Sequence, residues 1–123
     1  MRVLVCGGRD FDNADLLYTT MDTLHATRRI KLVIHGAAKG ADDLAEWWAY
    51  HNHVLVMRFP ISKEEWDTVG PSAGPRRNKK MILLGKPDLV VAFPGGTGTA
   101  DMVKQASKYS IHISKVEGAK NVN

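Results

Sequence analysis

The sequence predicts an α/β domain of three layers, in which helices cover both faces of a mostly parallel five-stranded sheet. Short apolar, β-branched runs alternate with segments of helical apolar spacing along the chain. Three of these runs end in turns rich in small residues, at points where a helix follows. In such a fold the turns meet at the carboxyl edge of the sheet, where open α/β sheets bind their ligands.

The first half of the chain is predicted to contain three strands and two helices. The strands are residues 2–6, 30–35 and 53–59, each dominated by Val, Leu or Ile. Asp12 or Asn13 is expected to cap the first helix, which should end near residues 27–29. The apolar face of the second helix is formed by Leu44, Ala45, Trp48 and Ala49.

The second half is predicted to add two strands, two helices and an irregular segment. Residues 62–66 are expected to form a helical turn opened by Ser62, and residues 69–74 have the composition of a loop. Pro75 suits the first turn of a helix over residues 76–84, which Gly85 closes. Strand 88–93, helix 99–108 and strand 110–114 complete a domain of residues 1–115, and a flexible tail is expected over residues 116–123.

Composition restricts the classes of protein. The 123 residues are 44% hydrophobic and 24% charged, as in a soluble domain with a real core. The single cysteine, Cys6, excludes an intramolecular disulfide and favours a cytoplasmic setting. No apolar stretch approaches the roughly 18 residues of a membrane span, so no membrane partner is expected. The histidines lack metal-ligand spacing, and neither a metal nor a cofactor is predicted.

The charge distribution points to an anionic partner. The chain carries a net charge of +4. Four positive side chains lie within five residues, namely Arg76, Arg77, Lys79 and Lys80. This cluster stands at a predicted helix start, where the helix dipole makes positive charge costly. A nucleotide or a polynucleotide would suit it, and the alternative is an ordinary solvated helix face.

The turn after the fourth predicted strand carries the clearest functional signal. A Gly-rich turn that restarts as a helix presents unpaired N–H groups at the positive end of the helix dipole, which favours a phosphate. The sequence is neither a P-loop nor a dinucleotide fingerprint, and the glycines could instead serve only a tight turn. The turn consists of Pro94, Gly95, Gly96, Thr97, Gly98 and Thr99.

Further candidate ligand-binding residues lie in the other two turns and in the basic cluster. They are Gly7, Gly8, Arg9, His35, Gly36, Lys39, Gly40, Asp42 and Arg76. Arg9 is placed to clamp a phosphate, or else forms a surface ion pair with Asp10 or Asp12. Asp42 is a ligand residue or simply a helix cap. His35 lines the pocket or is satisfied by backbone groups.

Four other side chains are assigned by their position. Asp101 lies at the start of the last helix, where a carboxylate could act beside a bound ribose or simply be favoured by the dipole. Trp66 lies on the irregular segment and is the tryptophan best placed to stack on a base. Trp48 and Cys6 are predicted to belong to the core.

Four motifs in order along nearly the whole chain resemble those of the SLOG superfamily. They are Gly7-Gly8-Arg9-Asp10-Phe11, His35-Gly36 with Gly40-Ala41-Asp42, Gly74-Pro75-Arg76-Arg77-Asn78 with Met81, and the turn Pro94 to Thr99. This Rossmann-like group joins the Smf/DprA DNA-processing proteins to the LOG phosphoribohydrolases, and the chain is most similar to its small YspA-like branch. The resemblance implies a Rossmann-like fold that binds nucleotides or nucleotide-derived ligands at the sheet edge, with Asn78 among the site residues.

The resemblance also bears on catalysis. In the LOG enzymes an arginine and the glutamate of a Pro-Gly-Gly-x-Gly-Thr-x-x-Glu motif cleave the N-glycosidic bond of a nucleoside 5′-monophosphate. Arg77 matches the arginine, but Met102 stands at the glutamate position, and Asp101 is the nearest carboxylate. One step along a helix rotates a side chain by about 100°.

Three functions therefore compete. The first is a nucleotide-binding protein, acting as a sensor or a sequestering module. The second is a LOG-like phosphoribohydrolase with Asp101 and Arg77 as its catalytic residues. The third is a DprA-like DNA-binding protein, which is less favoured because no aromatic residues are interleaved with the basic cluster. The resemblance also implies a homo-oligomer, because relatives often pair through helices beside the site.

Overall fold

A computed structural model describes residues 1–117 as five strands that alternate with helices. The strands are β1 Arg2–Cys6, β2 Leu32–His35, β3 Leu55–Arg58, β4 Leu89–Ala92 and β5 His112–Lys115. The helices are α1 Ala14–Thr27, α2 Ala41–His51, α3 Lys63–Val69, α4 Ala73–Gly85 and α5 Thr97–Lys108, with a short 3₁₀ helix at Gly70–Ser72.

The five strands form one sheet in the order β3-β2-β1-β4-β5, and every neighbouring pair is parallel. The predicted α/β class and strand number are confirmed. The central strand β1 lies between β2 and β4, so the sheet has its topological switch point there. Cys6 pairs with Ala92 at the carboxyl ends of β1 and β4, which brings the turns after these strands side by side.

Alternate residues of the strands build two apolar layers, one on each face of the sheet. On one face Val3, Val33 and Val91 pack with Leu17 of α1 and Trp48 of α2. The other face packs against α4 and α5. Its buried residues are Leu4, Ile34, Val90, Met81, Ile82, Met102 and Ala106. The sheet is therefore a rigid middle layer whose carboxyl edge holds the connecting turns.

Two helices begin earlier than the sequence predicted. Helix α4 starts at Ala73 rather than at residue 76, so the predicted loop 69–74 is a 3₁₀ turn followed directly by α4. Pro75 is tolerated because residues of a first helical turn have no intrahelical acceptor for their N–H. Helix α5 starts at Thr97 rather than Thr99, so the end of the Gly-rich turn is already helical.

Four of the five strands differ from their predicted bounds, and β4 does so by only one residue at each end. Strands β2 and β3 are shorter than predicted, and His53 has a positive φ of 56° that belongs to the preceding turn. Strand β5 runs to Lys115, and the Val116 N–H donates to the Ala92 carbonyl at 2.8 Å. Ordered pairing thus reaches one residue into the predicted tail, and residues 118–123 lie outside the described part. None of the helices in residues 1–117 is long and apolar enough to cross a membrane.

Candidate functional site

Three turns meet at the carboxyl edge of the sheet: the β1–α1 turn (residues 7–13), the β2–α2 turn (residues 36–40) and the β4–α5 turn (residues 93–96). The Gly8 N–H donates to the Pro94 carbonyl at 2.8 Å, and the Ala41 N–H donates to the Gly8 carbonyl at 3.2 Å. Together with segment 61–81 they surround a cleft of about 1350 Å³. The convergence of the turns follows from the parallel order of the sheet.

Most of the predicted site residues line this cleft. They are Gly7, Gly8, Arg9, Gly36, Lys39, Asp42, Arg77, Asn78, Pro94, Gly95, Gly96, Thr97, Gly98, Thr99 and Asp101. His35, Gly40 and Arg76 are not among the lining residues. His35 is buried beneath the β2–α2 turn, and Arg76 is exposed on α4. Gly40 has a φ of +82° and packs against backbone atoms of the β1–α1 turn.

The glycines of the site fall into two groups. In the first group the neighbouring turn leaves no room for a side chain: a Cβ on Gly95 would lie 2.6 Å from the Gly8 nitrogen, and one on Gly40 would lie 2.1 Å from the Gly8 carbonyl oxygen. In the second group, Gly96 and Gly98 would each direct a Cβ into open space. Both are exposed and line the cleft, so packing within the chain does not require glycine there.

The N–H groups of the β2–α2 turn are bonded to the protein's own side chains. The Gly36 and Ala38 N–H groups both donate to Oδ2 of Asp42 at 3.1 Å. The Ala37 N–H donates to Nδ1 of His35 at 2.9 Å. Asp42 thus holds the turn from within the first turn of α2, whose N-cap is Gly40. Burial raises the pKa of Asp42, although the hydrogen bonds from the Ala38 and Gly36 N–H groups and the charge of Arg77 act in the opposite direction.

A network behind this turn was missed by the sequence interpretation. His35 Nε2 lies 2.7 Å from Oε1 of Glu46, which also accepts from Nε of Arg58 at 2.7 Å. Because Nδ1 of His35 accepts from Ala37, the proton is on Nε2 and is donated to Glu46. The hydrogen bond from Arg58 is the main reason that the pKa of Glu46 is lowered. Nothing in the spacing of these three residues along the sequence indicates the contact.

The β4–α5 turn is open. Gly96 is the N-cap of α5, and no side chain caps this end. The first helical bond is from the Ala100 N–H to the Gly96 carbonyl at 3.0 Å. The N–H groups of residues 97–99 therefore have no intrahelical acceptor. No acidic residue lies in the first turn of α5, so the positive end of its dipole is not neutralised there.

Arg77 connects α4 to the β2–α2 turn and to the end of β3, and its neighbour Asn78 connects α4 to α5. Its Nη1 donates to the carbonyls of Gly36 at 2.6 Å and Phe59 at 3.3 Å, and its Nε donates to Asn78 Oδ1 at 3.1 Å. Asn78 Nδ2 in turn donates to Asp101 Oδ2 at 3.0 Å and to the Gly98 carbonyl at 3.2 Å. Burial lowers the pKa of Arg77, which Asp42 and Glu65 partly offset. Two of the three guanidinium nitrogens of Arg77, Nη1 and Nε, are therefore engaged in hydrogen bonds that hold the wall of the cleft together.

Comparison with known proteins assigns the chain to a family. A family model described as YspA, cpYpsA-related SLOG family matches residues 1–65. The chain belongs to this SLOG family. It is also 32% identical over 117 residues to the Gene 61 protein of Mycobacterium phage D29, with 91% of this chain and 93% of that protein covered. The SLOG resemblance seen in the motifs is confirmed.

The fold of this SLOG chain is also found in a solved structure. DNA processing protein A (DprA) from Streptococcus pneumoniae superposes with a TM-score of 0.76 at 17% sequence identity. The superposition covers 98% of this chain and 52% of the DprA chain, so this chain spans about half the length of DprA. At this identity the likeness shows the Rossmann-like fold.

Met102, at the LOG glutamate position, and Asp101, one residue before it, face different ways in this SLOG chain. Asp101 lines the cleft and accepts from Asn78 at 3.0 Å and from Gln105 at 2.8 Å. Met102 is 1% exposed and packs in the apolar layer under α5. A carboxylate at residue 102 would be buried among apolar side chains at a large desolvation cost. Of these two positions, residue 101 is therefore the one that places a carboxylate in the cleft.

The floor and the outer wall of the cleft are apolar. Cys6, predicted to belong to the core, is 8% exposed and lines the floor. Burial, aided by the charge of Asp42, raises the pKa of its thiol to about 12, so the thiol is neutral at pH 7. The outer wall includes Ile61, Trp66 and Pro71. Trp66 was a predicted ligand candidate, whereas no signal in the sequence identifies Ile61 or Pro71. Across residues 1–117, no cluster of His, Cys, Asp and Glu has the grouping to hold a metal.

Proposed function

We propose that this SLOG domain binds a nucleotide or nucleotide-derived ligand in the cleft, with a phosphate on the β4–α5 turn. The open turn carries the proposal. It offers three N–H groups without intrahelical acceptors at the positive end of a 12-residue helix. Gly96 and Gly98 leave space for a phosphate to approach the backbone closely. Aligned backbone N–H groups of this kind are a recurrent phosphate site.

Two cations support an anionic ligand. Arg9 and Lys39 line the cleft from the two neighbouring turns, and both are exposed. The ion pair that the sequence offered as an alternative for Arg9 is not formed: neither Asp10 nor Asp12 pairs with it in the part of the chain that the structure describes. A guanidinium in this position can bind a phosphate through two N–H groups.

The ligand is bound rather than turned over in this proposal, as in a sensor or sequestering module. The LOG glutamate position is filled by buried Met102. The LOG arginine position is filled by Arg77, whose Nη1 and Nε already donate to Gly36, Phe59 and Asn78. Both groups on which the family's hydrolysis depends are therefore absent or engaged elsewhere.

Binding is tested on the purified full chain. Denaturing the protein should release a small phosphorylated molecule, which mass spectrometry can identify. Calorimetry should detect binding of at least one of AMP, GMP, CMP, UMP and NAD⁺. Gly98→Asp should weaken that binding at least tenfold, because it adds a negative charge beside the proposed phosphate. Ser107→Asp adds the same charge to the last turn of α5 and should have little effect. Absence of binding at millimolar concentration for the whole panel would contradict the proposal.

The position of Asp101 favours one alternative, a phosphoribohydrolase. Its carboxylate lines the cleft in the first turns of α5, where it could act on the ribose of a bound nucleotide. Chromatography of each nucleotide after incubation with the protein tests this directly. Release of free base that is lost in Asp101→Asn, but kept in Asp43→Asn, would establish hydrolysis and replace the simple binding function.

DNA binding is the remaining alternative. The solved structure with the same fold is named a DNA processing protein. Helix α4 of this chain exposes Arg76, Lys79 and Lys80. Fluorescence anisotropy with a labelled single strand should then show affinity that falls steeply with salt and is lost when the three residues are replaced by serine. Affinity that is only millimolar at physiological salt would remove this alternative.

A further inference from the structure

We propose that Trp66 is the platform on which the base of the ligand stacks. The inference rests on the proposed nucleotide binding and adds where the base lies and which side chain selects for it. Trp66 projects from α3 on the outer wall of the cleft, beside Ile61 and Pro71. Flat apolar surface next to a phosphate site is what an aromatic base requires.

The three tryptophans of the chain have three different environments. Trp48 is fully buried, and its Nε1 donates to Asp22 at 2.9 Å. Trp47 is exposed, but its ring contacts those of Tyr50 and His51 at centroid distances of 6.0 and 6.1 Å.

Trp66 is 46% exposed. In the part of the chain that the structure describes, it makes neither a ring contact nor a side-chain hydrogen bond. It is the tryptophan whose face remains available, and that face borders the cleft.

Trp66 is not among the side chains packed on either apolar layer of the sheet. Helix α3 contains no buried residue. Its N-terminus is secured by Ser62, whose Oγ accepts from the Glu65 N–H at 3.0 Å, and Lys63 pairs with Asp67 at 3.0 Å. A large aromatic side chain that contributes little to the core leaves apolar surface in contact with water, which is unfavourable. Contact with a ligand would remove that surface from water.

The charges of α3 and of the two turns that carry Arg9 and Lys39 set the direction of the ligand. Helix α3 carries Glu64, Glu65 and Asp67, against Lys63 alone. Glu65 is close enough to Arg77 to oppose part of the lowering of that guanidinium's pKa by burial. A phosphate would be repelled at this wall, whereas it is favoured at the β4–α5 turn with Arg9 and Lys39 nearby. The uncharged base therefore lies against Trp66 and the phosphate lies at the β4–α5 turn.

The test compares two tryptophan variants and two kinds of probe. The probes are the nucleotide of the panel that binds most tightly and ribose 5-phosphate, which has the phosphate and sugar without the base. Trp66→Ala should weaken nucleotide binding about 5- to 150-fold, the range for loss of one stacked base, and leave ribose 5-phosphate binding unchanged. Trp66→Phe should restore most of the affinity. Trp47→Ala removes an even more exposed indole that does not line the cleft, and should change neither.

A second readout is the quenching of tryptophan fluorescence by the nucleotide, which should persist in Trp47→Phe and vanish in Trp66→Phe. Equal nucleotide affinity of Trp66→Ala and the unaltered chain would overturn the stacking inference and leave the phosphate site standing. Equal loss of nucleotide and ribose 5-phosphate binding would also overturn it, since Trp66 would then act on the fold. Failure of the unaltered chain to bind any nucleotide would end both proposals together.

Discussion

The β2–α2 and β4–α5 turns look alike in sequence but differ in what they leave for a ligand. Both follow a buried parallel strand, both are rich in small residues and both lead into a helix at the same sheet edge. In the first, Asp42 and His35 bind three consecutive N–H groups. In the second, residues 97–99 keep theirs free of helical acceptors. A Gly-rich turn is thus an anion site only if its own side chains do not occupy it first.

Glycine has a different purpose in each turn. A Cβ on Gly36 would lie 2.3 Å from Nη1 of Arg77, so this glycine makes room for the guanidinium that braces the cleft. Gly98 has no atom within 4 Å of its would-be Cβ. Packing thus requires the glycine of the first turn, whereas Gly98, which directly follows the second turn at the start of α5, borders open space. The following predictions test that distinction.

The largest effect is expected when Asp42, the internal acceptor of the β2–α2 turn, is removed. We call this turn the closed turn, because three of its N–H groups are bonded to Asp42 and His35. Asp42→Ala leaves the N–H groups of Gly36 and Ala38 without partners, and should lower the free energy of unfolding by about 2–4 kcal/mol. Urea unfolding measures this. Asp43→Ala changes an exposed carboxylate in the same first turn of α2 and should cost much less. If the two variants unfold at the same urea concentration, Asp42 does not hold the turn.

Alanine at matched glycines should separate the two turns by stability. Gly36→Ala forces Arg77 away from its two carbonyl acceptors and should cost about 1–3 kcal/mol of unfolding free energy. Gly98→Ala lies on exposed helix and should be neutral or stabilising by up to about 1 kcal/mol. Thermal and urea unfolding of both variants test the difference. Similar destabilisation by both substitutions would show that the β4–α5 turn is also shaped by packing.

The sequence predicted the fold because parallel strands and their turns have strong local signals. Runs of apolar, β-branched residues indicated the central residues of each strand, and the parallel order of the strands brought three turns to one edge of the sheet. The sequence could not show which N–H groups were already bonded. That depends on rotamers of Asp42 and on the contact of His35 with Glu46, 11 residues away. The role of Arg77 was likewise hidden, because its acceptor at Gly36 is 41 residues distant.

Gly98→Ala should weaken nucleotide binding even though it does not destabilise the fold. Gly98→Ala is expected to weaken nucleotide binding about tenfold, equal to about 1.4 kcal/mol, since its methyl group occupies the space offered to the phosphate. Ser107→Ala, at an exposed position in the same helix, should leave affinity unchanged. Calorimetry with the tightest-binding nucleotide measures both. An unchanged affinity in Gly98→Ala would mean that the phosphate does not approach this residue.

The smallest effect is expected for the pH dependence of thermal stability. It arises from Glu46, which accepts hydrogen bonds from His35 and Arg58 behind the closed turn. The pKa of this carboxylate is lowered from its ordinary value of 4.5, chiefly by Arg58. Its stabilisation is therefore complete well above that value and is lost as pH falls through the folded-state pKa. The unaltered chain should lose more thermal stability than Glu46→Gln on acidification, by only a few degrees because water screens this partly exposed group. Glu64→Gln, on exposed α3, should follow the unaltered chain. If Glu46→Gln follows it as well, the network of Glu46 with His35 and Arg58 adds nothing to the closed turn.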